Sequence, residues 1–358
     1  MHAAPRDGDE GRDHGPVVRS SQVRRRRQTQ SAAGAFSFGP IAASSLHPSV
    51  PKRDLTRIRW GLCCQFLDAP IRFRQATHRY VATLAPAERR AYLSAIARAN
   101  AIALAHAVER CHELGIGAFR INSQIIPLAT HPTSGYGLDD LDQGDVIRRA
   151  FQAAGEVARE RGIRLSFHPD QFVVLNSERE DVVRSSVEEL DFQASMAELV
   201  GADVLCLHGG GLTGGSAAAL DRLARGLARV SDRARARVAF ENDDRLFAPA
   251  DLLPFCEREG VPFIYDAHHH RCRPDGLSIA AATAGCVTSW RGREPYMHLS
   301  SPRDGWSDAV NSRPHADYID LADVPEAWNG VAATVDVEAK DKERAVLAIM
   351  AQARAAAA

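Results

Sequence analysis

A single-domain (β/α)8 TIM barrel, an α/β fold, is what this chain of 358 residues predicts, and three observations carry the prediction. Short apolar runs alternate eight times with longer alanine- and leucine-rich segments, the pattern of strand-then-helix units. Glycines stand just past the longer segments, at Gly115, Gly162, Gly201 and Gly260, where a left-handed residue ends a helix. After Leu62 come Cys63-Cys64-Gln65-Phe66, not the glycine-rich phosphate turn that often follows the first strand of a doubly wound open sheet.

The barrel is expected over residues 57–358. Strand one covers 58–64, followed by a helix at 88–112 that Gly115 stops. Strand two is 117–121, with a helix at 144–161, and strand three is 163–167, with a helix at 181–200. Strand four, 203–207, leads to a helix at 217–230, and strand five, 237–240, to one at 249–259. Strand six is 262–265 with a helix at 277–290, strand seven 295–299 with a helix at 320–328, and strand eight 333–337 with a closing helix at 342–353. Residues 1–56 mix Arg, Ser, Gly, Pro and Gln with no sustained apolar period and read as a disordered basic tail. Its run Arg24-Arg25-Arg26-Arg27 is open between a solvated run and a nucleic-acid contact, and an over-long start is a further reading of the whole segment.

Composition narrows the classes. Hydrophobic residues at 45% supply an ample core, and aromatics at only 6% make it mainly aliphatic. The net charge of −1 sets up no global basic field, so a phosphate partner has to be held by local arginines or by bound metal. Seven scattered cysteines, an odd number, argue against a disulfide framework and for a reducing, cytoplasmic compartment. No run approaches the roughly 18 consecutive apolar residues of a membrane span, and no secretory signal is expected.

Barrel chemistry sits where strands hand over to loops at the C-terminal face. Reading that position around the chain gives His168, His208, Glu241, Asp266 with His269, His298 and Glu338, with His131 in the loop after strand two and His315 in the loop after strand seven. Carboxylates and imidazoles converging on one mouth repel one another or lose solvation unless a cation joins them. The set suffices for two divalent metals, or three, and its mixed N/O character without thiolate suits Mn²⁺, Zn²⁺ or Fe²⁺. Clustered metals in an open site serve hydrolysis, with phosphodiesters the natural substrate and sugar isomerisation the competing chemistry. Gly209-Gly210-Gly211 beside His208 allows a close backbone approach or simply a turn. Gln171 and Phe172 are open between a wedge into a DNA duplex and an aromatic packed beneath its loop.

The segments Phe119-Arg120-Ile121-Asn122-Ser123, Ala129-Thr130-His131-Pro132, His168-Pro169-Asp170-Gln171-Phe172, His208-Gly209-Gly210-Gly211, Glu241-Asn242-Asp243-Asp244, Asp266-Ala267-His268-His269-His270-Arg271, His298-Leu299-Ser300, His315-Ala316-Asp317 and Glu338-Ala339-Lys340 together resemble the UV damage endonucleases. These are metal-dependent barrel enzymes that nick DNA on the 5′ side of photoproducts. The resemblance implies metal ligands at His168, His208, Glu241, Asp266, His269, His298, His315 and Glu338, with Glu241 bridging and Glu241 and His131 as catalytic residues. It implies Gln171 and Phe172 as the lesion probe; arginines at the mouth, Arg271 and Arg303 with Arg245, Arg273 and Arg313, are candidate DNA contacts. The implied cofactor is Mn²⁺, two or three ions, with Zn²⁺ or Mg²⁺ as alternatives. The implied partner is UV-damaged double-stranded DNA, met by a monomer with no membrane association in a nucleoid-associated, cytoplasmic setting. His268 and His270 are left as supporting or surface groups. Two positions depart from the family pattern: Leu62 and Phe66 replace a tyrosine and an asparagine near strand one, and Tyr296 stands where many members carry a lysine, which leaves a third metal in doubt. A sugar isomerase and a catalytically silent lesion binder are the alternatives.

Overall fold

The structure, a computed structural model, describes residues 53–357 apart from Asp308. The predicted tail, including its four-arginine run, lies outside the described residues except for its last four positions. Those four lie against the barrel: Leu55 is buried in the core, and Arg53 donates to the carbonyls of Leu321 and Val324 at 2.8 and 2.9 Å.

Eight parallel strands close in chain order, with the first pairing the last. They are β1 (Ile58–Cys63), β2 (Ala118–Ile121), β3 (Arg164–Phe167), β4 (Val204–His208), β5 (Val238–Glu241), β6 (Phe263–Asp266), β7 (Tyr296–Leu299) and β8 (Ala333–Val337). The outer helices are α1 (His78–Val81), α2 (Pro86–Leu114), α3 (Gly144–Glu160), α4 (Glu180–Val200), α5 (Ser216–Leu227), α6 (Asp232–Arg235), α7 (Pro249–Glu259), α8 (Ala267–Cys272), α9 (Ile279–Ser289) and α10 (Lys342–Ala357). Gly115, Gly201 and Gly260 adopt left-handed φ of 70–75° and end α2, α4 and α7 as expected. By length and composition α2 could cross a bilayer; in the fold Leu93, Ile96, Leu104 and Val108 are buried, and the helix packs on α3 and β2.

Three local expectations change. The helix predicted at 320–328 is two 3-10 turns, Leu321–Asp323 and Glu326–Trp328, because Pro325 lacks an N–H and blocks continuation of the first. The segment after β6, read as a loop, is the short helix α8, capped by Asp266, whose carboxylate accepts from the His269 N–H at 2.7 Å. The helix predicted at 217–230 is α5, which ends at Leu227, and a further short helix, α6, follows it, capped by Ser231.

Side chains alternate across each strand, and this separates the two cores. Outward residues such as Phe119, Phe167, Phe240 and Leu299 are buried between barrel and helices. Inward residues meet across the barrel: Ser166 on β3 and Tyr296 on β7 lie 2.9 Å apart through their hydroxyls, although three strands stand between them on either side. Tyr296 also donates to Asp336 Oδ1 on β8 at 2.9 Å. Arg120 on β2 reaches Asp336 at 3.7 Å and Glu338 at 2.6 Å. The interior beneath the C-terminal mouth is therefore a polar plug.

Gly61 on β1 makes room for that plug, since a Cβ there would collide with the Asp336 carboxylate. Gly61→Ala is expected to destabilise the protein by about 1–3 kcal/mol through overpacking. A urea midpoint unchanged from the parent would contradict this account.

Candidate metal centre

The last inward residue of each strand from β3 to β8, or the residue just beyond it, carries a metal-type donor. Barrel closure forces these residues to one rim. Glu241 at the end of β5 is the centre, 1% exposed, and its two oxygens face different neighbours. Oε2 lies 3.2 Å from His168 Nε2 and 3.8 Å from His208 Nε2. Oε1 lies 2.9 Å from His298 Nδ1 and 3.4 Å from His269 Nδ1. Asp266 uses Oδ1 to cap α8 and holds Oδ2 3.5 Å from His269 Nδ1. Glu338 lies 3.4 Å from His298 Nδ1 through Oε1 and 3.7 Å from His315 Nδ1 through Oε2. A bridge between Pro302 and His315 folds the long loop after β7 back so that His315 meets this rim.

Supporting residues orient the donors. His168 Nδ1 lies 3.1 Å from the Pro169 carbonyl, which leaves Nε2 aimed at Glu241. Asn242 ties the ends of β5 and β6 together, giving a bond to the Asp266 carbonyl at 2.9 Å and receiving one from its N–H at 3.0 Å. Arg120 anchors Glu338 from below. Asn242 and Arg120 fall in the quoted motifs, but their roles were not read from sequence. Cys206 was missed outright: its thiol lies 3.1 Å from Glu241 Oε2, against the expectation that no cysteine is placed to contribute. Strand alternation held the signal, because Cys206 stands two residues before His208 and so faces the same interior.

The electrostatics of the rim set carboxylates against imidazoles. Burial pushes the Glu241 carboxyl up, but the imidazoles of His298 and His208 outweigh it and hold it well below the usual range. Burial lowers His298, and Glu241 more than compensates, raising it to about 9. Burial lowers His269 likewise, and Asp266 with Glu241 carries it well above ordinary imidazole. Burial alone dominates at His208, which is lowered. Protonated imidazoles thus neutralise the carboxylates. Even so, Glu241 Oε1, Asp266 Oδ2, His208 Nδ1 and both His298 ring nitrogens are buried without a hydrogen-bond partner. Donor atoms of Glu241, Asp266 and His269 lie within 4.8 Å of one another, as do those of His168, Cys206 and Glu241. The orphaned Glu241 Oε1 and Asp266 Oδ2 fall in the first group, and the donor sets of the two groups fit two divalent ions.

A pH dependence follows for the metal-free protein. His298 has its folded pKa raised, so its contribution is fully present below about pH 6.5, its ordinary value, and is lost as pH rises towards 9. The loss is on the order of 3 kcal/mol between those limits. Chelator-treated protein should therefore unfold at lower urea at pH 9 than at pH 6.5, and metal-loaded protein should lose most of this difference. Equal midpoints for the metal-free protein at both pH values would refute the assignment.

Comparison with known proteins decides the family. The profile of UV-endonuclease UvdE matches residues 58–357. The chain belongs to the UV-endonuclease family. It is 34% identical to a UV DNA damage endonuclease of Deinococcus radiodurans, over 81% of this chain and 93% of that one. It is 30% identical to one of Bacillus velezensis, over 76% and 86%. The crystal structure of SacUVDE superposes with a TM-score of 0.71 at 27% identity, covering 83% of this chain and 98% of that one. An endonuclease IV of Thermus thermophilus at 17% identity and a 3-keto-D-glucoside 4-epimerase at 12% share the fold, with TM-scores of 0.53 and 0.52. The sugar-isomerase alternative therefore retains only likeness of fold.

In this member of the UV-endonuclease family, other expected residues fall differently. His131 stacks on His78 with ring centroids 4.2 Å apart, and its Nδ1 accepts from the N–H groups of Thr133 and Ser134 at 3.2 Å, so its contacts lie apart from Glu241. Phe172 is 76% exposed beside exposed Gln171, which removes the reading of an aromatic packed beneath its loop. Arg271 is held by Asp323 at 2.7 Å and lies over Trp306, while Arg313 pairs with Asp244 at 3.1 Å. Arg273 lies 3.5 Å from Asp251. Arg303 is half exposed on its neighbour Asp304, and Arg245 is 73% exposed. His268 and His270 are both buried, not on the surface. The first meets the Arg313 carbonyl at 3.2 Å, and the second bonds Tyr265 at 2.9 Å and Asp275 at 3.0 Å. Phe66 packs in the core, stacked on Phe119, and the Tyr296 hydroxyl is engaged one layer below Glu241 by Ser166 and Asp336.

Proposed function

We propose that this protein is a metal-dependent DNA repair endonuclease that nicks the backbone 5′ to UV photoproducts, cyclobutane dimers and 6-4 photoproducts, leaving a 3′-hydroxyl. Abasic sites are a further substrate. The observation that carries the reading is Glu241, one buried carboxylate whose two oxygens face two separate groups of imidazoles at the barrel mouth of a UV-endonuclease family chain. His168 and His208 would hold one divalent ion with Glu241, and Asp266, His269 and His298 the other, with Glu338 and His315 beside them. Mn²⁺ suits this mixed N/O set, and Zn²⁺ or Mg²⁺ are the alternatives. When bound, such a pair generates hydroxide near neutral pH and stabilises charge on the attacking and leaving oxygens.

The remaining steps belong to the chain. Glu241 spaces the two ligand groups, and Arg120 fixes Glu338 so that it need not reorganise. Phe172 and Gln171 stand free on the rim, where an aromatic can enter a base step that damage has already weakened. Arg303 and Arg245 are the more exposed guanidinium groups for phosphates, and Arg303, Arg271 and Arg313 would exchange their carboxylate partners Asp304, Asp323 and Asp244 to reach one. Engagement of double-stranded DNA by a monomer keeps this mouth open, and the compartment is that of the DNA, the cytoplasm and its nucleoid.

The test is plasmid nicking with Mn²⁺, comparing UV-irradiated with untreated supercoiled DNA. Nicking confined to irradiated plasmid supports the reading. Equal nicking of both removes lesion specificity, and binding without nicking returns the silent lesion binder. Phe172→Ala should lower the irradiated-to-untreated ratio by about tenfold or more, the scale of one lost base-stacking contact of 1–3 kcal/mol, with no change in unfolding midpoint. An unchanged ratio would remove Phe172 from lesion recognition.

A further inference from the structure

We infer that Cys206 is itself a metal ligand, completing with His168, His208 and Glu241 Oε2 a four-donor site that selects a thiophilic ion of the zinc class. The inference rests on the metal reading above and concerns only one side of Glu241. Around Oε2 stand the Cys206 thiol at 3.1 Å, His168 Nε2 at 3.2 Å and His208 Nε2 at 3.8 Å. Metal–nitrogen and metal–sulfur bonds of 2.0–2.3 Å place tetrahedral donors about 3.3–3.8 Å apart; the donor atoms of His168, Cys206 and Glu241 already lie within 4.8 Å of one another, and His208, 3.8 Å from Oε2, has to swing in to complete the four. Around Oε1 the neighbours are Asp266, His269 and His298, all nitrogen and oxygen donors. Softness divides metals, since sulfur favours zinc-class ions and carboxylate with imidazole accepts Mn²⁺.

Burial makes this more than an incidental contact. Cys206 is 2% exposed, inside the barrel, with its sulfur directed at a carboxylate instead of at apolar neighbours. In this arrangement the thiol donates to Glu241 Oε2 at 3.1 Å. On metal binding the S–H proton leaves to solvent as the sulfur–metal bond forms, because a coordinating thiol is deprotonated outright. The two ions are then unequal. The one on the Cys206 side has four protein donors, and the one beside Asp266 keeps the position open to water and phosphate.

The experiment loads chelator-stripped full-length protein with Co²⁺ and records its absorption spectrum without DNA. A thiolate-to-cobalt charge-transfer band in the near ultraviolet is expected in the parent, lost in Cys206→Ser and kept in Cys272→Ser. Zn²⁺ affinity measured by competition with a chromophoric chelator should fall in Cys206→Ser by more than the roughly 10–100-fold that loss of a partner outside the metal ligands costs, while Mn²⁺ affinity changes little. Co²⁺ uptake without the band in the parent overturns the inference and leaves the metal site standing, with the thiol only a hydrogen-bond donor. No Co²⁺ uptake at all overturns both. A band that persists in Cys206→Ser assigns the sulfur elsewhere. The parent spectrum needs no variant, so poor folding of Cys206→Ser does not shield the idea.

Discussion

Replacing Glu241 by glutamine should abolish UV-dependent nicking to beyond the roughly 10–100-fold that loss of a partner outside the metal ligands costs. The amide keeps the shape but presents one oxygen and one NH₂, so only one of the two ligand groups keeps an acceptor. Bound metal measured by elemental analysis should fall by at least one ion per chain. The metal-free protein should stay folded, because losing the carboxylate also removes the main group that holds His298 protonated, so that His298 can be neutral, while His269 keeps Asp266 as its partner. Full metal content together with parental nicking in Glu241→Gln would refute the bridging role.

Replacing Arg120 by methionine should cost about 3–5 kcal/mol of stability, the scale of removing one partner from a buried ion pair. Its guanidinium is 11% exposed and lies between Glu338 at 2.6 Å and Asp336 at 3.7 Å. Burial pushes the Glu338 carboxyl up, and Arg120, ahead of His298, is what lowers it below the ordinary range. Without Arg120, Glu338 and Asp336 share the interior with His298 as their nearest positive partner, so Glu338 protonates more readily and metal affinity drops at neutral pH. Arg120→Lys restores charge without the planar fork and should recover part of the stability. A urea midpoint for Arg120→Met within error of the parent would show that the buried pair carries no such energy.

The eight strands were legible because each is a short apolar run bounded by turn residues, and the donors at their ends were legible because barrel closure sends every strand end to one rim. The helix expected at 320–328 was not, because one proline outweighs a helical pattern of nine positions. Cys206 was readable through period-two alternation from His208 once the interior of a barrel is treated as able to hold chemistry. The His-rich stretch after β6 was legible in part, the surface alternative for His268 and His270 being the one that fails. Of its three histidines His269 reaches Glu241, while His268 and His270 are buried against Arg313, Tyr265 and Asp275.

By itself the sequence determined the order of the elements, the glycine stops and the set of donors available at the mouth, because these follow from local propensity and covalent order. Only the tertiary structure decided which oxygen of Glu241 faces which imidazole, that Arg120 belongs to Glu338, and that Phe172 stands in solvent while Phe66 does not. Such pairings join residues 73 and 218 positions apart. Side-chain rotamers and close packing in a closed interior choose among partners there, and no periodicity along the chain records that choice.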